Sequence, residues 1–307
     1  MNIASIDIGT NTILLLIANV NLRAQKIDAI REEIRIPRIG VELNRSGKIP
    51  DEKIAELENI LLEYKNLAKL NNCEEIFVIG THALRTASNN KEIQSRILDK
   101  TSLFIEIIPS ELEAEYAFYG IKASCKMDGI FAIVDIGGGS TEVIFGDKDS
   151  ILDKISFPIG VVTLKDEFIQ DYPISESDDA NLKKKIKTTF KELTLKHYAP
   201  KTLIGISGTP TTLSVIQNNL KTFDSKKLDN TQLSKTEITN ILEILRNSSI
   251  ESIKNTYGEI ISKREDILYI GGVILLNVMD YLNVTDTKVS TYGIRHGVIY
   301  KKMIVNK

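Results

Sequence analysis

Cysteine is scarce: Cys73 and Cys125 are the only two in 307 residues, and neither stands in a C-x-x-C or zinc spacing. That excludes a disulfide framework and a zinc finger, and points to two free, buried thiols in a reducing compartment. An excess of either charge is missing as well. With 39 Lys and Arg against 41 Asp and Glu, the formal net charge is −2. No global field therefore draws in nucleic acid or an anionic membrane, and any anion has to be held locally. The longest apolar run near the N-terminus, Ile13 to Val20, is short of the roughly 20 residues that span a bilayer. Asp7 stands where a signal peptide would be positive, so the expected location is cytoplasmic. The histidines, His82, His197 and His296, are scattered without an H-x-x-x-H or H-E-x-x-H spacing. Neither G-x-G-x-x-G nor G-x-x-x-x-G-K-[ST] occurs, which removes the main support for Rossmann and P-loop folds. Low-complexity segments are absent too, apart from a polar stretch from Asp224 to Thr231 that reads as an exposed loop.

What is present is one phrase written twice. Ile6-Asp7-Ile8-Gly9-Thr10-Asn11-Thr12 is matched by Val134-Asp135-Ile136-Gly137-Gly138-Gly139-Ser140. Each is an apolar strand ending in aspartate, followed by a turn of glycine and small polar residues. Such a turn lets backbone N–H groups approach phosphate oxygens, while the aspartate offers oxygen to a hard cation such as Mg²⁺. After each turn come Ile13 to Ala18 and Glu142 to Gly146, short runs with strand character. Both copies therefore read as hairpins rather than as a loop opening a helix, and two of them suggest two halves facing one phosphate chain.

The rest alternates in a βα manner, and 42% hydrophobic content fills two cores. Asp51 to Leu70 carries a helical stripe at Ile54, Leu57, Ile60, Leu61, Tyr64 and Leu67. Ile76 to Ile79 is a strand delivering Thr81 to Arg85 at its carboxyl end, where ligands gather in open α/β sheets. A strand from Phe104 to Ile108 leads to a helix from Glu111 to about Ala123. Thr202 to Ile206 and Ile267 to Ile270 read as strands before glycines, with Thr209-Pro210 as N-cap and first helical residue. The segment Gly297 to Val305 looks helical. Leu182, Ile186, Phe190 and Leu193 form the buried stripe of a helix whose Lys183, Lys184, Lys185 and Lys187 are its solvated face.

Spacing alone leaves several residues open. Ser110-x-x-Glu113 is a capping box, so Glu113 can serve a helix end or chemistry. Asp135 and Glu142 lie across the glycine turn and can be a solvated pair or a cation site. Arg85 can be a salt-bridge partner or a bidentate phosphate contact.

Five segments together resemble the exopolyphosphatase and guanosine pentaphosphate phosphohydrolase (Ppx/GppA) family: Asp7 to Thr12, Gly80-Thr81-His82-Ala83-Leu84-Arg85, Ser110-Glu111-Leu112-Glu113-Ala114, Asp135 to Glu142, and Tyr292-Gly293-Ile294-Arg295-His296-Gly297. Ile206-Ser207-Gly208-Thr209 and Tyr269-Ile270-Gly271-Gly272 match family glycines. This sequence departs from the family with Pro109-Ser110 for Ser-Gly, Leu112 for a glutamate and His296 for an acidic residue. The resemblance implies an α/β fold of the actin, hexokinase and Hsp70 (ribonuclease H-like) type, with duplicated domains and a cleft between them. The expected domains are 1–119 plus 297–307, and 120–296. In the longer family members a C-terminal helical module follows, and this chain resembles the short form without it.

The resemblance also implies Mg²⁺-dependent hydrolysis of terminal phosphoanhydrides. Glu113 would be the general base, with Glu142 and Arg85 as its catalytic companions. Gly9, Thr10, Asn11, Thr12, Gly137, Gly138, Gly139, Ser140, Thr141 and Arg295 would bind phosphate; Asp135, Glu142 and Asp7 would hold the metal. The expected substrates are inorganic polyphosphate and guanosine penta- or tetraphosphate, with distributive cleavage and a homodimer as an open assembly; no nucleic acid or membrane partner is expected. A kinase or ATPase of the same superfamily and a non-catalytic nucleotide sensor are the alternatives.

Overall fold

In a computed structural model of the chain, residues 1–124, 127–192, 198–261 and 263–306 are described. Cys125, Leu193 and His197 lie outside them. The chain forms two compact units, Met1–Cys125 with Tyr292–Lys307, and Lys126–Thr291.

Unit 1 is built on five strands: β1 (Asn2–Ile8), β2 (Ile13–Asn21), β3 (Lys26–Arg35), β4 (Cys73–Gly80) and β5 (Glu106–Ile107). Their order is β3-β2-β1-β4-β5. The first three form an antiparallel meander, and β4 lies parallel to β1. Alternation along β1 sends Ala4, Ile6 and Ile8 to one face, where they meet Ile54, Leu57, Leu61 and Tyr64 of the Asp51–Leu70 helix. Ile3 goes to the other face and packs with Leu16, Ile299 and Met303. A sheet covered on both sides needs apolar residues at successive positions, which explains the unbroken run in β2.

The last α-helix, Ile294–Tyr300, crosses the Ser110–Ser124 helix at glycines. A Cβ on Gly297 would come within 1.7 Å of the Tyr116 carbonyl oxygen, so only glycine permits this approach. Cys73 is free and half-buried, and burial pushes its thiol pKa up.

Unit 2 repeats the plan. Strands β6 (Phe131–Ile136), β7 (Thr141–Gly146), β8 (Ile151–Phe157), β9 (Thr202–Ile206), β10 (Gln232–Ser234) and β11 (Asp286–Val289) are ordered β10-β11-β9-β6-β7-β8. β6, β7 and β8 form an antiparallel meander, and β9 lies parallel to β6. The same pattern of strands as in unit 1 thus occurs again, with β10 added at an edge. In the Glu176–Glu192 helix, Leu182, Ile186 and Phe190 are buried while Lys183, Lys184, Lys185 and Lys187 are exposed. Among the described residues no helix is long and apolar enough to cross a membrane.

Three expected elements are corrected. Ile267 to Ile270 is not a strand: Leu268–Tyr281 is a helix. Its glycines lie on packing faces instead of a turn, since Cβ atoms on Gly271 and Gly272 would meet Thr209 Oγ1 at 2.2 Å and Leu242 Cδ2 at 2.4 Å. The strand expected over Phe104 to Ile108 shrinks to Glu106–Ile107, with Phe104 exposed. Thr209-Pro210 do not open their helix; it runs Gly208–Gln217, and Ser207 is the cap.

Candidate active site

The two glycine turns are built alike. In unit 1, Ile8 pairs with Ile13 to close a four-residue turn, and Gly9 N donates to Thr12 O at 3.0 Å. In unit 2, Ile136 pairs with Thr141, and Gly137 N donates to Ser140 O at 2.9 Å. Each turn is strapped from behind by the segment that follows the third strand of its meander. Arg38 N and Gly40 N donate to Asn11 O and Thr10 O, at 3.1 and 2.9 Å. Val161 N and Val162 N, at the start of the Val161–Phe168 helix, donate to Gly137 O and Gly138 O at 3.0 and 2.8 Å.

The straps consume carbonyls and leave amides. Among the described residues, the backbone N–H groups of Thr10, Asn11 and Thr12, and of Gly138, Gly139 and Ser140, donate to no acceptor. Successive unclaimed amides in a turn form a concavity suited to an anion. Both turns are also anchored at the next strand: Thr81 Oγ1 donates to Ile8 O at 3.3 Å, and Ser207 Oγ donates to Ile136 O at 3.2 Å. Ser207 holds φ at 73°, a left-handed conformation costly for a non-glycine residue.

What lies beside the turns differs. In unit 2, Asp135 and Glu142 are directly opposed across β6 and β7, so their side chains share a face. Both are buried, and Ser156 Oγ donates to Glu142 Oε1 at 2.9 Å. Two carboxylates at facing positions repel each other unless a cation or proton intervenes. Their hard oxygens suit Mg²⁺, which takes one or two protein carboxylates and fills its shell with water and phosphate. In unit 1 the residue facing Asp7 is Leu14. Among the described residues no three His, Cys, Asp or Glu side chains form a metal-binding group.

Unit 1 carries instead an ion pair at the carboxyl end of its sheet. Arg85, on the His82–Thr86 helix after β4, donates from Nη1 to Ile108 O at 2.8 Å and to Glu113 Oε2 at 2.9 Å. Glu113 therefore spends its carboxylate on Arg85, and not on the helix end that the Ser110-x-x-Glu113 spacing would serve. Burial pushes the Glu113 pKa above its ordinary value, and the Arg85 charge opposes that shift without cancelling it. A buried carboxylate with a raised pKa is the kind of group that takes protons near neutrality.

Arg295 is placed elsewhere. It donates to Leu15 O at 2.8 Å and pairs with Glu32 at 3.1 Å. His296 is buried against the Tyr292 ring at 4.1 Å, and desolvation with the Arg295 charge holds its pKa well below the usual value.

Arg264 escaped the sequence reading. Its guanidinium lies against Gly208, 3.2 Å from where a Cβ would sit, and Nη1 donates to Thr212 Oγ1 at 2.8 Å. Among the described residues it has no carboxylate partner, and burial lowers its pKa to about 10, leaving it charged. A desolvated cation without a counter-ion is suited to an incoming anion. No motif marks it; the only sequence signal is Gly208, whose missing side chain makes the room.

The family model described as the Ppx/GppA phosphatase family matches residues 17–305. The chain belongs to this family. Among its Ppx/GppA relatives, the bifunctional 3-dehydroquinate synthase/phosphatase of Fusobacterium nucleatum is 31% identical over 289 residues, covering 91% of this chain and 43% of that protein. The chain thus spans under half of that relative's length. Exopolyphosphatase 2 of Mycobacterium tuberculosis is 27% identical over 252 residues, covering 79% of this chain and 78% of the relative. The crystal structure of the Aquifex aeolicus Ppx/GppA family member superposes with a TM-score of 0.85 at 28% identity, covering 100% of this chain and 99% of that one. The two meander-based α/β units are the fold of this family.

Proposed function

We propose that this protein hydrolyses the terminal phosphoanhydride of inorganic polyphosphate or guanosine pentaphosphate and releases orthophosphate. The observation that carries the reading is the pair of facing, buried carboxylates Asp135 and Glu142 beside a turn with unclaimed amides. Relatives named exopolyphosphatase support the substrate class.

The Gly137–Ser140 and Gly9–Thr12 amides bind phosphate oxygens, and Arg264 adds a cationic donor in unit 2. Bound at Asp135 and Glu142, Mg²⁺ would neutralise charge on the phosphate oxygens. Glu113 accepts the proton of the attacking water, and Arg85 fixes the carboxylate that does so. No covalent nucleophile is required. Preorganised amides that stabilise the equatorial oxygens electrostatically account for most of the rate acceleration, as in other phosphoryl transfers.

The test is phosphate release with Mg²⁺ from polyphosphates of several lengths, guanosine pentaphosphate, GTP and ATP side by side. Turnover of polyphosphate or guanosine pentaphosphate well above ATP is expected. A phosphorylated product formed only with ATP would instead identify a kinase, and binding without any turnover would identify a sensor.

A further inference from the structure

At the carboxyl end of β4, Thr81 N and Oγ1 both donate to Ile8 O, the carbonyl just before the first glycine turn. His82 comes next. Three residues later on the same helical turn stands Arg85, bonded to Glu113. His82 thus directly follows the residue that anchors the Gly9–Thr12 turn and lies within reach of the Arg85 charge. Its imidazole is half-buried and, among the described residues, makes no hydrogen bond or ion pair. Burial first, and then the Arg85 charge, hold its pKa below the ordinary value, so the ring is neutral at physiological pH.

The internal repeat supplies a second argument. Ser207 is the counterpart of Thr81, since each hydroxyl bonds the carbonyl before its glycine turn. The residue after Ser207 is Gly208, and over Gly208 lies the Arg264 guanidinium. Unit 2 therefore places an N–H-bearing group at the station that His82 occupies in unit 1. A second cation beside Arg85 would be repelled, whereas a neutral imidazole offers an N–H without added charge.

We propose that His82 is a further substrate-contacting residue, whose imidazole N–H donates to a phosphoryl oxygen held at the Gly9–Thr12 turn. This rests on the phosphoanhydride-hydrolase reading. A ring hydrogen bond to a charged oxygen should change both the ring's magnetic environment and the apparent substrate affinity.

The chain has three histidines, so a long-range ¹H–¹⁵N spectrum resolves each ring, and a His82→Gln variant assigns the relevant one. Orthophosphate is titrated in the presence of Mg²⁺, with calorimetry run in parallel. His82 signals should move saturably, with the calorimetric midpoint. Binding with stationary His82 signals would overturn this inference alone; absence of any phosphate binding would overturn the site reading and this inference with it. Kinetically, His82→Leu should raise KM for tripolyphosphate about 10-fold or more, the value of a lost hydrogen bond to a charged group. His82→Gln, which keeps an N–H, should stay within about 3-fold of the native KM. Equal KM values for the native protein and His82→Leu would also overturn it.

Discussion

Units 1 and 2 share a meander, a four-residue turn, a strap that occupies the turn's carbonyls and a hydroxyl anchor on the neighbouring strand. They differ in what borders the turn. Asp135 faces Glu142, whereas Asp7 faces Leu14; Arg85 binds Glu113 in unit 1, whereas Arg264 in unit 2 has no acidic partner among the described residues. Duplication thus yields two turns with unclaimed amides, and under the proposed function a handful of substitutions divides the chemistry between them. The turn is a backbone device and survives sequence change. The chemistry is carried by individual side chains.

The comparison breaks most visibly at Glu113. Glu113→Gln should lower kcat by about 10²–10⁴-fold, the contribution of a positioned general base. The same variant should melt at a higher temperature at neutral pH. Its folded pKa is raised, so the folded state favours the protonated form, and stability is lost as pH rises from the unfolded value through the folded one. The acid limb of the kcat profile should correspondingly lie above the ordinary glutamate range. Activity within tenfold of native, in a folded protein, would remove Glu113 from the role of base.

Next in size is Glu142→Leu, which gives unit 2 the residue that unit 1 carries at Leu14. Phosphate release should fall by about 10²–10³-fold, on the scale of losing one electrostatic stabiliser of the transition state. Steady-state assays across Mg²⁺ concentrations check this, and a native-like response would show that the facing carboxylates are incidental.

The straps offer a stability comparison. A Cβ on Gly160 would lie 2.3 Å from the Gly138 carbonyl carbon, a backbone atom; on Gly40 it would lie 2.1 Å from Thr10 Cγ2, a side-chain methyl that can rotate. Gly160→Ala should therefore cost about 1–3 kcal/mol and Gly40→Ala less, as read by denaturant unfolding. The reverse order would mean that the second turn yields more readily than its strap implies.

The smallest contrast concerns the anchors. Ser207→Gly loses a hydroxyl bond but relieves a left-handed backbone, so stability should change by under about 1 kcal/mol. Thr81→Gly gains no such relief and should lose about 1–2 kcal/mol.

Much of this was legible in the sequence, for local reasons. Glycines followed by Ile13 to Ala18 and Glu142 to Gly146 could not open a helix, and the structure makes both hairpins. The helix Asp51–Leu70 follows directly from its apolar spacing. Leu268–Tyr281 did not, because a helix buried on nearly every side loses the polar stripe that reveals its period, and its two glycines imitate a turn. The straps, the anchors and the placing of Arg264 were illegible for a different reason. They depend on contacts between residues far apart in the chain, such as Arg38 with Asn11 and Ser207 with Ile136, which no local pattern encodes.

The proposed division of labour requires that the carboxylates of unit 2 hold one cation. Mn²⁺ bound per chain, counted from its electron paramagnetic resonance signal, tests this directly. The native protein should bind one ion, Asp7→Asn should still bind it, and Glu142→Leu should lose it. Undiminished Mn²⁺ binding by folded Glu142→Leu, or its loss in Asp7→Asn alone, would contradict the account.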